Sequence, residues 1–271
     1  MSRILFALST LFIALTLQAQ TPVIVDGGIL NGASFARNQA VAPGSLVSIF
    51  GDNLASQVAV ASSIPFSVAL AGVSVTFNDV SAAISDVTPG SPTSRSQVNV
   101  QIPWEALGGL TEGSVAVVVT RDNIKSAPQQ LALNQFAPGI FTIPAGAGNV
   151  IAINNADGSI AAPVGTIPPY TTHPAKAGDV IIFYANGLGP LDSPVKNGAA
   201  STDVLRKTLT TPTVIIDGIS VTPIFSGLAP QYPGVNQVNF IIPNGVRSGN
   251  VTMQLSIGGI TTAQQATIAI Q

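Results

Sequence analysis

Apolar and polar positions along this chain alternate with a period of two in short segments, and one such segment occurs twice. In Gln97-Val98-Asn99-Val100-Gln101-Ile102-Pro103 the residues Val98, Val100 and Ile102 alternate with amides, and Gln237-Val238-Asn239-Phe240-Ile241-Ile242-Pro243 repeats the pattern. Successive side chains of a strand point to opposite faces, so each segment predicts a half-buried strand with one apolar and one amide-rich face. Pro103 and Pro243 end these strands, because proline offers no N–H to a ladder.

The surroundings repeat in the same order. Pro43-Gly44 leads into a strand Leu46-Val47-Ser48-Ile49-Phe50 that stops at Gly51-Asp52-Asn53-Leu54, and Ala177-Gly178 to Gly187-Leu188 follows it residue for residue. Val73 to Phe77 and Ala82 to Ile84 flank a hairpin turn at Asn78-Asp79, whose place Asp217-Gly218 takes in the second copy. Ser114 to Thr120, with Val115, Val117 and Val119 on one face, corresponds to Gly249 to Leu255. Gly258-Gly259 replaces Asp122-Asn123, and the closing strands Ala127 to Leu133 and Ala266 to Ile270 match. About seven short strands per copy, turn signals roughly every ten residues and no helical periodicity predict an all-β chain. Its expected form is two tandem immunoglobulin-like antiparallel β-sandwiches, residues 20–141 and 142–271, the first starting its strands near Ile29. The apolar join Phe136-Ala137-Pro138-Gly139-Ile140-Phe141 predicts modules that dock rather than swing freely.

Residues 1–19 read differently. A basic start, Met1-Ser2-Arg3, precedes the apolar run Ile4 to Leu17 and then Gln18-Ala19-Gln20, the layout of a secretory signal peptide cleaved after Ala19. The run is short of the about 20 residues that a membrane-spanning helix needs. No span is therefore expected after signal cleavage, and the expected compartment is outside the cell or in the periplasm. The sequence has no cysteine, which removes disulfides, thiolate chemistry and a lipid-anchored N-terminal cysteine. Core packing must hold the fold. Hydrophobic residues make up 46% but charged ones only 8%, against about 25% in typical domains. Ser, Thr, Asn, Gln and Gly must then cover the surface. With a formal net charge of −2 and no Lys/Arg cluster, the chain has no electrostatic grip on phosphate, so nucleic acid is not an expected partner.

The runs Asn31-Gly-Ala-Ser-Phe35, Val41-Ala-Pro-Gly-Ser45, Gln97-Val-Asn-Val-Gln-Ile-Pro-Trp-Glu105, Ala137-Pro-Gly-Ile-Phe141 and Tyr184-Ala-Asn-Gly-Leu-Gly-Pro190 resemble the Solibacter-type C-terminal domain family, found in secreted acidobacterial proteins. The resemblance covers essentially the whole mature chain. Each module also resembles an IPT/TIG domain through the pattern from Gly44 to Leu54, although Ala185 and Gly187 depart from it in the second copy. What the resemblance implies is an extracellular β-module; the family brings no catalytic residues and no cofactor.

Little in the sequence suggests reaction chemistry. His173, the sole histidine, sits in Pro168-Pro169-Tyr170-Thr171-Thr172-His173-Pro174 and reads as a solvated loop residue, with no serine elbow to support a hydrolytic triad. Glu105 and Glu112 are the only glutamates, and most aspartates fall in turns, where Asp serves the backbone. Asn154-Asn155-Ala156-Asp157-Gly158-Ser159 lacks the ligand alternation of a calcium loop and reads as a hairpin turn between Ile153 and Ile160. No metal or other cofactor is expected. For binding, Trp104, Tyr170 and Tyr232 are the candidate ligand contacts, although Trp104 reads first as a cap on the core or on the joint between modules. The expected function is non-enzymatic adhesion, envelope interaction or scaffolding, with a protein or polysaccharide partner. A carbohydrate-binding accessory role is the alternative, and exposed sheet edges offer pairing sites for another chain.

Overall fold

The computed structural model describes residues 20–271, so the signal peptide expected at 1–19 lies outside the described residues. The first module contains β1 (Val23–Asn31), β2 (Leu46–Asp52), β3 (Ala59–Val60), β4 (Ala69–Leu70), β5 (Val73–Phe77), β6 (Val80–Ser81), β7 (Ala83–Thr88), β8 (Ser96–Gln101), β9 (Glu112–Arg121), β10 (Ile124–Lys125) and β11 (Gln129–Asn134). The second contains β12 (Gly139–Ile140), β13 (Thr142–Ile143), β14 (Gly148–Val150), β15 (Ala152–Asn154), β16 (Val180–Asn186), β17 (Thr213–Ile216), β18 (Ile219–Val221), β19 (Phe225–Leu228), β20 (Asn236–Ile241), β21 (Gly249–Ile257), β22 (Ile260–Thr261) and β23 (Ala266–Ile270). No helix occurs among the described residues.

Each module is a sandwich of two sheets. Sheet I runs β1-β2-β8-β7-β3 and faces sheet II, in which β9 and β5 are central. Sheet III runs β12-β16-β20-β19 and faces sheet IV, built around β23-β21-β17. The strand pairs are antiparallel except β14 with β23. The repeat extends to register: Leu46 pairs with Gln101 and Ile49 with Val98 in the first module, and their counterparts Val180 and Phe183 pair with Ile241 and Val238 in the second. Phe77 opposes Val117 just as Ile216 opposes Met253. A slip of one residue would turn every inward side chain to solvent, so equal register means that both cores are set by the same alternation.

The two cores fill the same space with different side chains. Where the first module has Ile49 and Val100, the second has Phe183 and Phe240, whose rings meet edge to face at 5.8 Å. Where the first has Phe77, the second has Ile216, and all six side chains are fully buried. Bulk added on one sheet is partly offset by bulk removed from the other, which limits the repacking that the second core needs. The four predicted two-residue hairpins form, and Asn78-Asp79, Asp122-Asn123, Asp217-Gly218 and Gly258-Gly259 each carry positive φ at both turn positions.

Some boundaries differ from the sequence reading. The first strand begins at Val23 rather than near Ile29, with a register shift between Ile24 and Ile29 that the alternation does not reveal. The return strand after Asn78-Asp79 is only Val80–Ser81, and Ala83–Thr88 crosses to the other sheet. Gly139 and Ile140 pair with Asn186 and Ala185, so the crossover occupies residues 135–138 and the stretch to Phe141 belongs to the second module. The outer edge of sheet I ends in the short β3, where Val58, just before the strand, and Val60, within it, are exposed. The equivalent edge of sheet III is covered, since Lys207 bridges to Gly227.

Candidate functional site

The modules meet in a joint built from buried amides. Asn186, at the end of β16 and fully buried, accepts the Leu46 N–H at 3.0 Å and donates to the Leu46 carbonyl at 2.7 Å. Its side-chain amide thus bonds Leu46 as a neighbouring strand would. Asn31, at the end of β1, donates to Ala137 O in the crossover at 2.9 Å, and its Oδ1 accepts the N–H groups of Ala33 and Ser34 at 2.9 and 3.2 Å. From β8, Gln101 donates to Gly44 O at 3.0 Å and accepts Gly198 N–H at 2.6 Å. Gly198 lies on the long connection from β16 to β17, so this loop reaches back onto the first module. Next to it, Asn197 accepts the Trp104 N–H at 3.0 Å and donates to Glu105 at 3.1 Å. Phe136 from the crossover lies against Gly258. Buried amides cost free energy unless bonded, and here the bonds are supplied largely by the other module or the crossover.

Trp104 therefore caps the inter-module joint. Its indole lies flat on Gly44, whose φ of +75° admits no side chain easily and where a Cβ would overlap the ring. The buried indole N–H has no hydrogen-bond partner. Tyr232 approaches the same Gly44–Leu46 corner from the second module: its neighbour Gly234 lies against Gly44 O and Leu46. Trp104 follows the end of β8 and Tyr232 precedes the start of β20, and end-to-end stacking of the modules brings these opposite strand ends to one corner. They line different clefts, however. Trp104 borders a small one with Leu107, Leu110 and Pro190, whereas Tyr232 borders a cleft of about 510 Å³ with Leu46, Ile64, Phe66 and Ser85. Tyr170 is 60% exposed on its own loop, with no aromatic neighbour among the described residues.

The Tyr232 cleft opens onto the outer face of sheet I. Along that face Gln97 donates to Asn99 Oδ1 at 2.9 Å, Asn99 donates to Asp86 Oδ1 at 2.7 Å, and Ser85 donates to Asp86 Oδ2 at 2.7 Å. Phe50 stands opposite Gln97 on the same face. In the second module Gln237 donates to Asn239 in the same way, at 2.9 Å, but the flanking residues are Ile182 and Phe225. Tyr184 holds the place of Phe50, and its ring meets Tyr232 edge to face at 5.8 Å. Burial, with Tyr232 adding, raises the Tyr184 phenol above its ordinary value. Gln101 was expected on this solvated face; it is buried, because the Gly198 loop covers it.

His173 is not a free loop residue. Its Nε2 lies 2.8 Å from both Asp157 Oδ2 and Ser159 Oγ, while Nδ1 faces Pro174 O at 3.0 Å. Ser159 also gives Asp157 its hydroxyl at 2.7 Å and its N–H at 2.9 Å. Those Ser159 bonds, more than His173, hold the Asp157 carboxyl down to about 2. The Pro174 carbonyl first and Asp157 second raise His173 above its usual value. Serine, histidine and aspartate thus meet, but not as a catalytic relay. A relay needs the acid on one ring nitrogen and the serine on the other. Here both crowd Nε2, and Ser159 donates to the acid. The cluster ties the 154–159 hairpin to the proline-rich loop, and residues so far apart in sequence gave no signal of it beyond the Asp-Gly turn.

No family model and no curated protein matches the chain. Among solved structures, the Bacteroides ovatus mixed-linkage glucan utilization locus protein SGBP-B, in complex with a mixed-linkage heptasaccharide, is 14% identical with a TM-score of 0.34, over 85% of this chain and 45% of that one. This chain thus spans less than half of SGBP-B. Domains 5–6 of the S-layer protein SbsC are 15% identical (TM-score 0.23, 92% and 98% covered), and the D00-D0 domain of intimin is 12% identical (TM-score 0.18, 93% and 98% covered). No superposition among these reaches a TM-score of one half, and the architecture rests on the strand pairings themselves.

Proposed function

We propose that this chain is a secreted, non-enzymatic pair of docked β-sandwiches, of IPT/TIG type, that serves adhesion, envelope contact or scaffolding outside the cell. The observation that carries this reading is the joint. Asn31, Gln101 and Asn186, which belong to the most distinctive motifs of the sequence, are spent on holding two modules in one arrangement rather than on facing a substrate. A fixed arrangement presents one continuous surface to a partner. The basic start and apolar run at the N-terminus support export. The internal bonding of Ser159, His173 and Asp157 supports the non-enzymatic part of the reading. The alternative, a carbohydrate-binding accessory module, draws on the half-exposed ring of Tyr232.

The test runs binding and turnover side by side on residues 20–271. Purified envelope proteins and polysaccharides are titrated against the immobilised chain, while ester and glycoside libraries are screened for hydrolysis. Saturable binding with no turnover is the expected result. Turnover that disappears in His173→Ala refutes the reading.

A further inference from the structure

The two outer sheet faces are joined by Tyr232, which lines the cleft with Leu46 and Ser85 of sheet I and meets Tyr184 of sheet III. The first-module half of this surface is a row of neutral hydrogen-bonding groups with one carboxylate: Gln97, Asn99, Asp86 and Ser85. Each is only partly buried. Their mutual bonds hold the groups in place yet leave capacity outward. Gln97 retains its carbonyl oxygen, Asn99 a second N–H, Asp86 lone pairs on both oxygens, and Ser85 an accepting oxygen. The repeat shows that this row is particular to the first module. At the matching place in the second, where strand and amide pair are the same, Ser48 and Asp86 give way to Ile182 and Phe225.

Apolar rings stand at both ends of the row. Phe50 lies beside Gln97, and four residues along β2, about 13 Å at strand rise, Leu46 adjoins the Tyr232 ring. Side-chain amides and carboxylates take pairs of adjacent hydroxyls, and ring faces take the C–H faces of sugars. The row from Gln97 to Ser85 carries no lysine or arginine, and Arg95, one step beyond Gln97, is held in an ion pair by Asp52, so the face offers little to a polyanion. We propose that the outer face of sheet I, from Phe50 to Tyr232, binds a linear neutral polysaccharide, with Gln97, Asn99 and Asp86 bonding its hydroxyls and Tyr232 stacking on a sugar ring. A pre-bonded row loses little side-chain freedom on binding, which favours affinity. The inference rests on the reading of the chain as a binding unit and names the partner's chemistry.

The test is affinity electrophoresis and calorimetry of residues 20–271 with linear neutral polysaccharides and their six-unit oligosaccharides: glucans, xylan and mannan. The expected result is saturable binding to at least one, weakened tenfold or more in Tyr232→Ala and in Asp86→Ala and unchanged in Tyr170→Ala. Asn99→Ser, a mild surface change, is the second variant should Asp86→Ala fold poorly, and the emission of Trp104, the sole tryptophan, checks that the joint is intact. Binding to none of these polysaccharides overturns the inference. So does binding that stays within twofold of the wild type in Tyr232→Ala, or that falls equally in Tyr170→Ala. Saturable binding to a purified envelope protein alone sinks this inference while keeping the binding-unit reading, whereas His173-dependent turnover sinks that reading itself.

Discussion

Asn186 is the side chain whose removal the structure makes most costly at the joint. Replacing it with alanine deletes both bonds to Leu46, at 3.0 and 2.7 Å, and a longer one to Asn31 Oδ1 at 3.3 Å. The Leu46 carbonyl keeps the Gly32 N–H at 3.0 Å, and Asn31 Oδ1 keeps Ala33 and Ser34. The Leu46 N–H, which faces Asn186, is left without that acceptor. One orphaned donor costs about 1–3 kcal/mol and each of the two lost net bonds about 0.5–1.5, for a total of roughly 2–6 kcal/mol. At about 2–4 °C per kcal/mol for a chain near this size, the melting temperature should fall by on the order of 10 °C. Asn186→Asp sharpens the test. Its ionised carboxylate keeps the acceptor for Leu46 N–H but turns an oxygen, not an N–H, toward the Leu46 carbonyl, and it buries a charge. Acidification restores a donor, so the Asp variant should regain stability relative to the Ala variant as pH falls. Urea unfolding of both variants at pH 7 and pH 4.5 measures this. A loss under 1 kcal/mol for Asn186→Ala, or an Asp variant as stable as the wild type at pH 7, refutes the reasoning.

Three further outcomes are expected. Gly44→Ala should displace the indole from its seat and shift Trp104 emission to the red, whereas Trp104→Phe should cost less than about 2 kcal/mol, because the indole N–H gives up no bond. His173, raised by Pro174 and Asp157, and Asp157, lowered to about 2, set a window of pH. The tie is fully present below the unfolded histidine value and lost as pH rises through the folded one. It is present above the unfolded aspartate value and lost as pH falls toward about 2. NMR titration of the single histidine should therefore give a value above 6.5 that drops in Asp157→Asn, and an unchanged value would contradict the geometry. Finally, brief proteolysis should spare residues 135–138, where the crossover bonds both modules, and cut the exposed 56–58 and 203–205 stretches first.

The strand order of matching segments, the four two-residue hairpins and the inward valines of β5, β8 and β9 were legible in the sequence, because a period of two and a pair of turn residues are local signals. The repeat doubled each of them and so identified two sandwiches. The fate of the polar residues was not legible. Asn31, Gln101 and Asn186 look like any surface amides along a strand, and only the stacking of one module's strand ends on the other's loops turns them inward. His173 looked solvated because Asp157 and Ser159 come to it from another loop. Alternation says which face of a strand meets its own core. What covers the other face depends on contacts between distant segments, whose cost in chain entropy is met only once the whole fold assembles.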